Sequence, residues 1–479
     1  MSAPLTDLFP GLPVTDNPTI SGITADSRKV RPGMVFVAVP GARSDGRAFI
    51  AQALAAGAAA ILAPLDTRAD TGAVPLLTVA DPRRAFALAA AALAGAQPET
   101  MVAVTGTNGK TSTVTFARRM WAHQGLKSAS LGTLGIQAEG WPERPGLTTP
   151  DPADLHAALA ELAADGITHA AMEASSHGLD QHRLDGVRLK AAAFTNLTHD
   201  HLDYHGDTEA YLAAKLRLFA QLLPADGVAV VNADDPAAGR VIAAAGDRRL
   251  IRFGRAGTEL RLVGVRPRSG GQVLDLDLLG RRVQVDLPLA GTFQAANALA
   301  AAGLLLATGS DADAVRAALA TLEGVPGRLE QVAETADGVP VFVDYAHTPD
   351  ALETVLHALR PHASGRLILV FGCGGDRDAA KRPRMGAIAA RLADIVLVTD
   401  DNPRGEDAAA IRAAILAACP DAQDIADRRA AIAAAIAAAR PGDVVVLAGK
   451  GHERGQIVGA QTFPFDDAEE AKKAVRGAA

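Results

Sequence analysis

Val104-Thr105-Gly106-Thr107-Asn108-Gly109-Lys110-Thr111-Ser112 is the stretch on which the reading of this chain turns. It follows the apolar Met101-Val102-Ala103 and runs into Thr113-Val114-Thr115-Phe116-Ala117, so a strand passes through a glycine turn into a helix. Gly106 and Gly109 allow the backbone to wrap a phosphate chain with its N–H groups turned inward. The helix N-terminus adds partial positive charge. Lys110 is placed to reach the outer phosphates, and the Thr111 hydroxyl suits Mg²⁺. Val104 stands where the strict pattern has its first glycine, so this is a variant phosphate loop. Residues Gly106 to Ser112 are read as an ATP site.

Outward from the loop, 479 residues are too many for one core, and about three domains are expected. A hydrophobic content of 49% is that of a globular chain. No apolar run approaches the roughly 18–20 residues of a membrane span. The opening residues, Met1 to Pro10, carry no basic or apolar signal region, so a cytoplasmic location is expected. Cys373 and Cys419 are the two cysteines, which fits a reducing compartment and excludes a disulfide framework. A net charge of −7 with both signs interspersed argues against nucleic acid as the main ligand.

The predicted fold class is α/β in three domains. A small N-terminal α/β domain covers residues 1–97, a central phosphate-loop domain built on a parallel sheet covers 98–325, and a Rossmann-like α/β domain covers 326–479. In the first, strands are expected over 33–40, 60–63 and 75–79, with a helix over 47–57. In the second, strands over 168–173, 191–196 and 227–232 alternate with helical stretches, the pattern of a parallel sheet. From Glu259 to Leu289 the period shortens to about two residues, which suggests an antiparallel appendage, and a helix over 294–306 follows. In the third, strands beginning at Val341, Leu367, Ile395 and Val444 end in Asp or Gly, where open α/β sheets bind ligands. The alanine tract from Arg429 to Arg440 is read as a helix stopped by Pro441-Gly442.

Several constellations could carry chemistry. Met172-Glu173-Ala174-Ser175-Ser176-His177 ends a strand. A Ser–His hydrolase would need a Gly-x-Ser-x-Gly elbow that is missing, whereas a strand-end carboxylate facing a phosphate loop suits Mg²⁺. Thr195 to His205 packs His199, Asp200, His201, Asp203 and His205 together. Zinc, a polar loop or an oxygen-rich Mg²⁺ site with one histidine all fit this composition. Lys215 in Tyr211-Leu212-Ala213-Ala214-Lys215 is an ordinary helical cation on its own merits. Asp344 to Asp350, Phe371 to Asp378, Asp401 to Arg404 and Gly449 to Glu453 form four charged, turn-rich strand ends. Arginines there can grip a carboxylate bidentately and Glu453 suits an ammonium, a combination that describes an amino-acid pocket.

Together, Gly106-Thr-Asn-Gly-Lys-Thr111, Met172-Glu-Ala-Ser-Ser-His-Gly-Leu179, Asp200-His-Leu-Asp-Tyr-His-Gly206, Asp344-Tyr-Ala-His-Thr-Pro-Asp350, Gly372-Cys-Gly-Gly-Asp-Arg-Asp378 and Gly449-Lys-Gly-His-Glu453 resemble the Mur ligases. The Asp401-Asn402-Pro403-Arg404 string resembles the marker of the family's diaminopimelate-adding branch. The resemblance runs from Asp26 to the C-terminus. It implies an ATP-dependent, Mg²⁺-requiring amide ligase of cytoplasmic peptidoglycan precursor synthesis, a monomer. Its substrates would be UDP-N-acetylmuramoyl-L-alanyl-D-glutamate, meso-diaminopimelate and ATP.

By motif, the resemblance places Ala25, Ser27 and the Ala42, Arg43, Ser44 loop on the uridine nucleotide. It places Thr148, Thr149, Ser175, Gln181 and Arg183 on the muramoyl-peptide. Thr111, Glu173, His201 and Lys215 would serve Mg²⁺, with Lys215 matching a lysine that the family carbamylates. Catalytic roles fall to Lys110, Glu173, His201 and Lys215. Asn297, Arg328 and Asp344 would surround the nucleotide, and Arg377, Asp401, Asn402, Pro403, Arg404, Gly449 and Glu453 the diaminopimelate. Two departures occur, Ser112 where threonine is common and Ala379-Ala380 in place of Lys-Gly. Folylpolyglutamate-type ligases share the phosphate loop but fit the Asp26-Ser27-Arg28 and Asp401–Arg404 segments poorly. A lysine-adding ligase would differ at Asp401–Arg404, and a non-catalytic nucleotide switch would not need motifs in all three domains.

Overall fold

A computed structural model describes residues 2–14, 16–41, 44–142, 147–198, 200–268 and 270–478. The chain divides into two compact units, Met1–Arg261 with Asn297–Ala318, and Leu262–Ala296 with Leu319–Ala479. Ala42, Arg43 and His199, which the sequence marks as candidates, lie outside the described residues.

Besides a two-stranded pairing of Ala3–Pro4 with Thr19–Ile20, the first unit contains two larger sheets. In the smaller, Gly22–Thr24 (β1), Met34–Val37 (β2), Ala60–Pro64 (β3) and Leu76–Val79 (β4) lie in that order, all parallel. The helix expected over 47–57 is shorter than its apolar pattern suggests. Asp45 accepts the Arg47 N–H and holds its guanidinium, which tightens Gly46–Phe49 into a 3₁₀ turn, and the α-helix is Ile50–Ala55 (α1). Asp81 caps Pro82–Ala94 (α2), whose Phe86, Ala89 and Ala90 close the core over Val35, Val37 and Leu62.

The larger sheet is built on Thr100–Thr105 (β5). Its Met101, Val102, Ala103 and Val104 are wholly buried, which is why the run has no polar alternation. Lys110–His123 (α3) follows the phosphate loop, then Ser128–Gly132 (β6), Gly135–Ala138 (β7), Pro152–Ala164 (α4) and His169–Glu173 (β8). Next come Ser176–Asp180 (α5), Leu189–Phe194 (β9), Leu202–His205 (α6), Thr208–Arg217 (α7), Val228–Asn232 (β10), Ala238–Ala245 (α8) and Arg249–Gly254 (β11). The order is β11-β10-β9-β5-β8-β6-β7, parallel except for β7. β5 therefore lies between β8 and β9, so the ends of both neighbours flank its loop. Leu155, Leu159, Leu162 and Phe194 pack one face.

The chain crosses between the units within Leu260–Arg268 (β12) and returns within Thr292–Ala307 (α9). In the second unit Gly271–Leu278 (β13) and Arg281–Leu287 (β14) form the expected antiparallel hairpin, in register from Gln272↔Leu287 to Leu278↔Arg281. Its main sheet combines Glu330–Glu334 (β15), Pro340–Asp344 (β16), Leu367–Phe371 (β17), Ile395–Val398 (β18), Gln423–Asp424 (β19) and Val444–Ala448 (β20), in the order β15-β16-β20-β17-β18-β19. Only β15 runs antiparallel. The alanine tract is the helix Arg428–Ala438 (α10), capped by Asp427, and its Ile432 and Ile436 cover one sheet face. An outlying hairpin, Gly455–Val458 (β21) and Gln461–Pro464 (β22), precedes the last helix, Asp467–Ala478 (α11). Among the described residues no helix is long and apolar enough to cross a membrane.

Candidate active site

Val104, standing where a phosphate loop's first glycine would be, is a strand residue of β5, opposite Glu173 in β8 and Ala193 in β9. The turn starts later, at Gly106. There φ is +147°, and an added Cβ would sit 2.0 Å from Thr195 Oγ1. Gly109, at φ +85°, starts α3, and its added Cβ would sit 2.2 Å from Asn297 Oδ1. Both positions exclude a side chain, which brings Thr195 and Asn297 against the loop.

The segment after β9 grips this turn. Asn196 O accepts the Thr107 N–H at 2.8 Å, Asn196 Oδ1 accepts the Asn108 N–H at 2.9 Å, and Thr195 Oγ1 donates to Asn108 O at 2.6 Å. Thr107 Oγ1 donates to Thr198 O at 3.2 Å and receives the Tyr211 hydroxyl at 3.2 Å. Lys110 Nζ donates to Gly106 O at 3.0 Å and Thr107 O at 2.9 Å. Thr111 and Ser112 are buried in the first turn of α3.

Lys215 is the surprise. It is 1% exposed, its Nζ donates to Gly106 O at 2.9 Å, and it lies 4.1 Å over the Tyr211 ring. Burial, reinforced by the neighbouring Lys110 charge, pushes its pKa well below that of an ordinary lysine. The Tyr211 hydroxyl is pushed up to about 12, mainly by burial.

Glu173, at the end of β8, is 1% exposed and lies over Gly132, where an added Cβ would come within 2.1 Å of Oε1. Its Oε1 accepts the Thr133 N–H at 2.7 Å, and Thr133 Oγ1 is 3.0 Å from Thr148 Oγ1. Thr149 Oγ1 donates to Glu173 O at 2.9 Å and lies 3.0 Å from Ser175 Oγ. Arg183 donates to Thr149 O at 2.8 Å and to Gln181 Oε1 at 2.7 Å, and Gln181 donates to the Tyr204 hydroxyl at 3.1 Å. Thr148, Thr149, Ser175, Gln181 and Arg183 thus form one connected network. Ser175 Oγ accepts the Gly178 N–H as the cap of α5, a structural use that speaks against a hydrolase serine.

His201 caps α6 with φ +53°, a strained conformation for a histidine, and its ring meets His177 edge-on at 4.8 Å. The His177 and His205 pKa values are lowered, chiefly by burial. Among the described residues no three His, Cys, Asp or Glu side chains stand together as a ready-made metal cage. In the N-terminal sheet Ala25 is half-buried, Ser27 Oγ donates to Gln52 Oε1 at 3.1 Å, and Ser44 is exposed.

In the second unit the four strand ends meet. Gly449 N–H donates to Asp344 O at 3.1 Å, Gly375 N–H to Asn402 O at 2.9 Å, and Arg404 Nη1 to Gly375 O at 3.0 Å. Asn402 Nδ2 donates to Glu453 Oε2 at 2.8 Å. Asp401, Asn402 and Pro403 are buried, while Arg377 lies exposed on the loop after β17. Arg404 has φ +52°. Asp344 accepts the Leu329 N–H at 2.7 Å, and burial raises its pKa to about 6 despite the Arg328 charge. The Arg328 guanidinium lies 5.1 Å over the Tyr345 ring. The sequence alone marks out neither Thr133 and Tyr211 in the first unit nor Lys450 in the second, and only burial distinguishes Lys450 within Gly449–Glu453.

A strand-loop-helix phosphate site flanked by two lysines, on a chain with a separate charged rim along a parallel sheet, defines a multidomain nucleotide-dependent α/β enzyme. The chain belongs to the Mur ligase family. The Mur ligase middle domain matches residues 104–305, the glutamate ligase domain 327–451 and the Mur ligase family catalytic domain 19–95. The chain is 55% identical to UDP-N-acetylmuramoyl-L-alanyl-D-glutamate–2,6-diaminopimelate ligase of Caulobacter vibrioides, across 100% of this chain and 99% of that one. It is 54% identical to the protein of that name from Rhizobium meliloti, across 96% and 94%. A solved structure bearing the same name superposes with a TM-score of 0.76 at 34% identity, covering 100% and 99% of the two chains. Mycobacterium tuberculosis folylpolyglutamate synthase, at 23% identity and a TM-score of 0.62 over 77% of this chain and 92% of that one, shares the fold.

Proposed function

We propose that this protein is an ATP-dependent amide ligase that joins meso-diaminopimelate to the D-glutamate of UDP-N-acetylmuramoyl-L-alanyl-D-glutamate. It forms ADP and phosphate and acts as a cytoplasmic monomer. Residues 1–97 take the uridine nucleotide, 98–325 the ATP and 326–479 the amino acid. The observation that carries this reading is the double-lysine phosphate loop, with Lys110 and Lys215 both bound to Gly106 O.

The chemistry runs in two steps. A D-glutamate side-chain oxygen attacks the γ-phosphorus of ATP, ADP leaves, and an acyl phosphate forms. The diaminopimelate amine attacks the acyl carbon, phosphate departs, and the nitrogen loses a proton. Lys110 and the loop N–H groups offset charge on the transferring phosphoryl oxygens. Thr148, Thr149, Ser175, Gln181 and Arg183 hold the peptide carboxylate in line. Arg404 and Asn402 bind the amino acid's carboxylates, and Glu453 its ammonium.

The buried, acceptor-only Glu173 carboxylate over Gly132 fits a hard cation. Thr111, Glu173, His201 and Lys215 would hold Mg²⁺, which neutralises phosphate charge when bound. Lys215 joins them only as an anion. Its lowered pKa supplies a neutral amine whose lone pair adds to CO₂, and loss of one proton leaves a carbamate.

The test is phosphate release with ATP, Mg²⁺ and the UDP-muramoyl dipeptide, comparing meso-diaminopimelate with L-lysine. Turnover with diaminopimelate alone is expected. Turnover with lysine would keep the ligase and overturn the specificity, and silence with both would overturn the function.

A further inference from the structure

Lys450 is fully buried, 0% exposed, just beyond the end of β20. An ammonium stays ionised without water only where acceptors replace it. Asn402 Oδ1 at 3.0 Å, Glu453 Oε2 at 3.5 Å and Asp401 Oδ1 at 3.7 Å surround this one.

These contacts settle which way the Asn402 amide faces. Its oxygen accepts from Lys450 Nζ and from the Ile457 N–H at 3.0 Å, and its nitrogen donates to Glu453 Oε2 at 2.8 Å. Turned over, the NH₂ would meet two donors and the oxygen a carboxylate. Lys450 also anchors Glu453 through that same Oε2, so one cation fixes both side chains. Arg428, the other buried cation nearby, is engaged elsewhere. It is held by Asp467 at 2.7 and 2.6 Å and donates to Ala448 O at 2.9 Å. With Arg428 and Asp467 paired to each other, Lys450 is the cation within reach of both Asp401 Oδ1 at 3.7 Å and Glu453 Oε2 at 3.5 Å.

We propose that Lys450 is a positioning residue for the amino-acid substrate: by orienting the Asn402 amide and anchoring the Glu453 carboxylate, it presets the groups that take the amino acid's carboxylate and ammonium. This rests on reading 401–404 and 449–453 as the amino-acid pocket.

The test compares Lys450→Met, Lys450→Gln, Asn402→Leu and the double variant Lys450→Met/Asn402→Leu. It measures separate KM values for meso-diaminopimelate, ATP and the UDP-dipeptide, alongside thermal unfolding. Lys450→Met should raise KM for diaminopimelate about tenfold or more and leave the other two within about twofold. Lys450→Gln, whose amide can still donate to Asn402 Oδ1, should recover part of the loss. In the Asn402→Leu background the Lys450→Met effect should shrink below about threefold, because the two act as one unit. An unchanged KM for diaminopimelate overturns the proposal. So does an equal rise in all three KM values, or an undiminished effect in the Asn402→Leu background. Failure of both Lys450 variants to fold would make the lysine structural and overturn it too. A wild-type chain silent with diaminopimelate removes the underlying reading. An active wild type with a Lys450→Met variant of unchanged KM removes this proposal alone.

Discussion

Gly106→Ala is the sharpest perturbation of the phosphate loop, because three separate costs converge on one methyl group. The added Cβ would lie 2.0 Å from Thr195 Oγ1 and 3.0 Å from both N and O of Asn196. No side chain tolerates the first contact, so Thr195 must rotate or the loop must move. Rotation sacrifices the Thr195 hydroxyl's bond to Asn108 O at 2.6 Å, worth about 1 kcal/mol. Holding alanine at φ +147° costs about 1–3 kcal/mol more. Squeezing against the Asn196 backbone adds roughly 1 kcal/mol of overpacking. The total is about 3–5 kcal/mol, set against the phosphate-binding conformation of the loop. Two readouts check it, equilibrium denaturation followed in the central domain and ATP affinity by calorimetry. ATP binding should weaken by at least about 100-fold. The double variant Gly106→Ala/Thr195→Ala should lose about 1 kcal/mol less than the sum of its singles, since the lost hydroxyl is counted once. A Gly106→Ala protein with wild-type ATP affinity and stability would refute the loop geometry.

Three further outcomes follow from the same contacts. Asp344 has a folded pKa of about 6 against an unfolded value near 3.8, so the stability its bound proton brings is full below about pH 4 and lost as pH rises through 6. Over that window Asp344→Asn should gain about 3 kcal/mol relative to wild type, and denaturation at pH 4 and pH 8 giving a pH-independent difference would contradict it. Glu173→Gln keeps an acceptor for the Thr133 N–H, so it should fold normally yet lose about 100- to 1,000-fold in kcat; near-normal turnover across a Mg²⁺ titration would exclude Glu173 as a ligand. Arg404→Ala should raise KM for meso-diaminopimelate by about tenfold or more while leaving L-lysine binding little changed, and an equal loss for both would remove Arg404 from specificity.

The fold was largely legible because its strands are buried on both faces. Met101 to Val104, Leu367 to Phe371 and Val444 to Ala448 are uninterrupted apolar runs with turn residues after them, and each is a central strand. Legibility failed where local polar bonding overrode apolar spacing. Asp45 converts the start of the helix at 47–57 into a 3₁₀ turn, and no periodicity count registers a side chain capping two residues on. The short edge strands β15 and β19 and the hairpin β21–β22 also escaped, since exposed pairings need no apolar run. The site divides along the same line. Gly106, Gly109 and Lys110 carry their meaning in local sequence. Thr195 and Asn196 matter because β9 lies beside β5, and that adjacency is a property of the sheet.

Lys215 shows what kind of information the sequence withholds. In Tyr211-Leu212-Ala213-Ala214-Lys215 its spacing is that of any helix, and a solvated cation is the ordinary outcome. The structure places it on the inner face of α7, against the Tyr211 ring and the carbonyl of Gly106, with Lys110 on that same carbonyl. Two ammonium groups cannot share one carbonyl away from water without cost, and the more deeply buried one gives up its proton more readily. In its neutral form the amine would be a nucleophile toward CO₂ and, once converted, an anion beside the loop. Conversion would exchange a like-charge conflict with Lys110 for an attraction. The burial that makes Lys215 costly as an ammonium thus favours its neutral amine, and it is the Lys110 charge, not burial, that would favour a carbamate there.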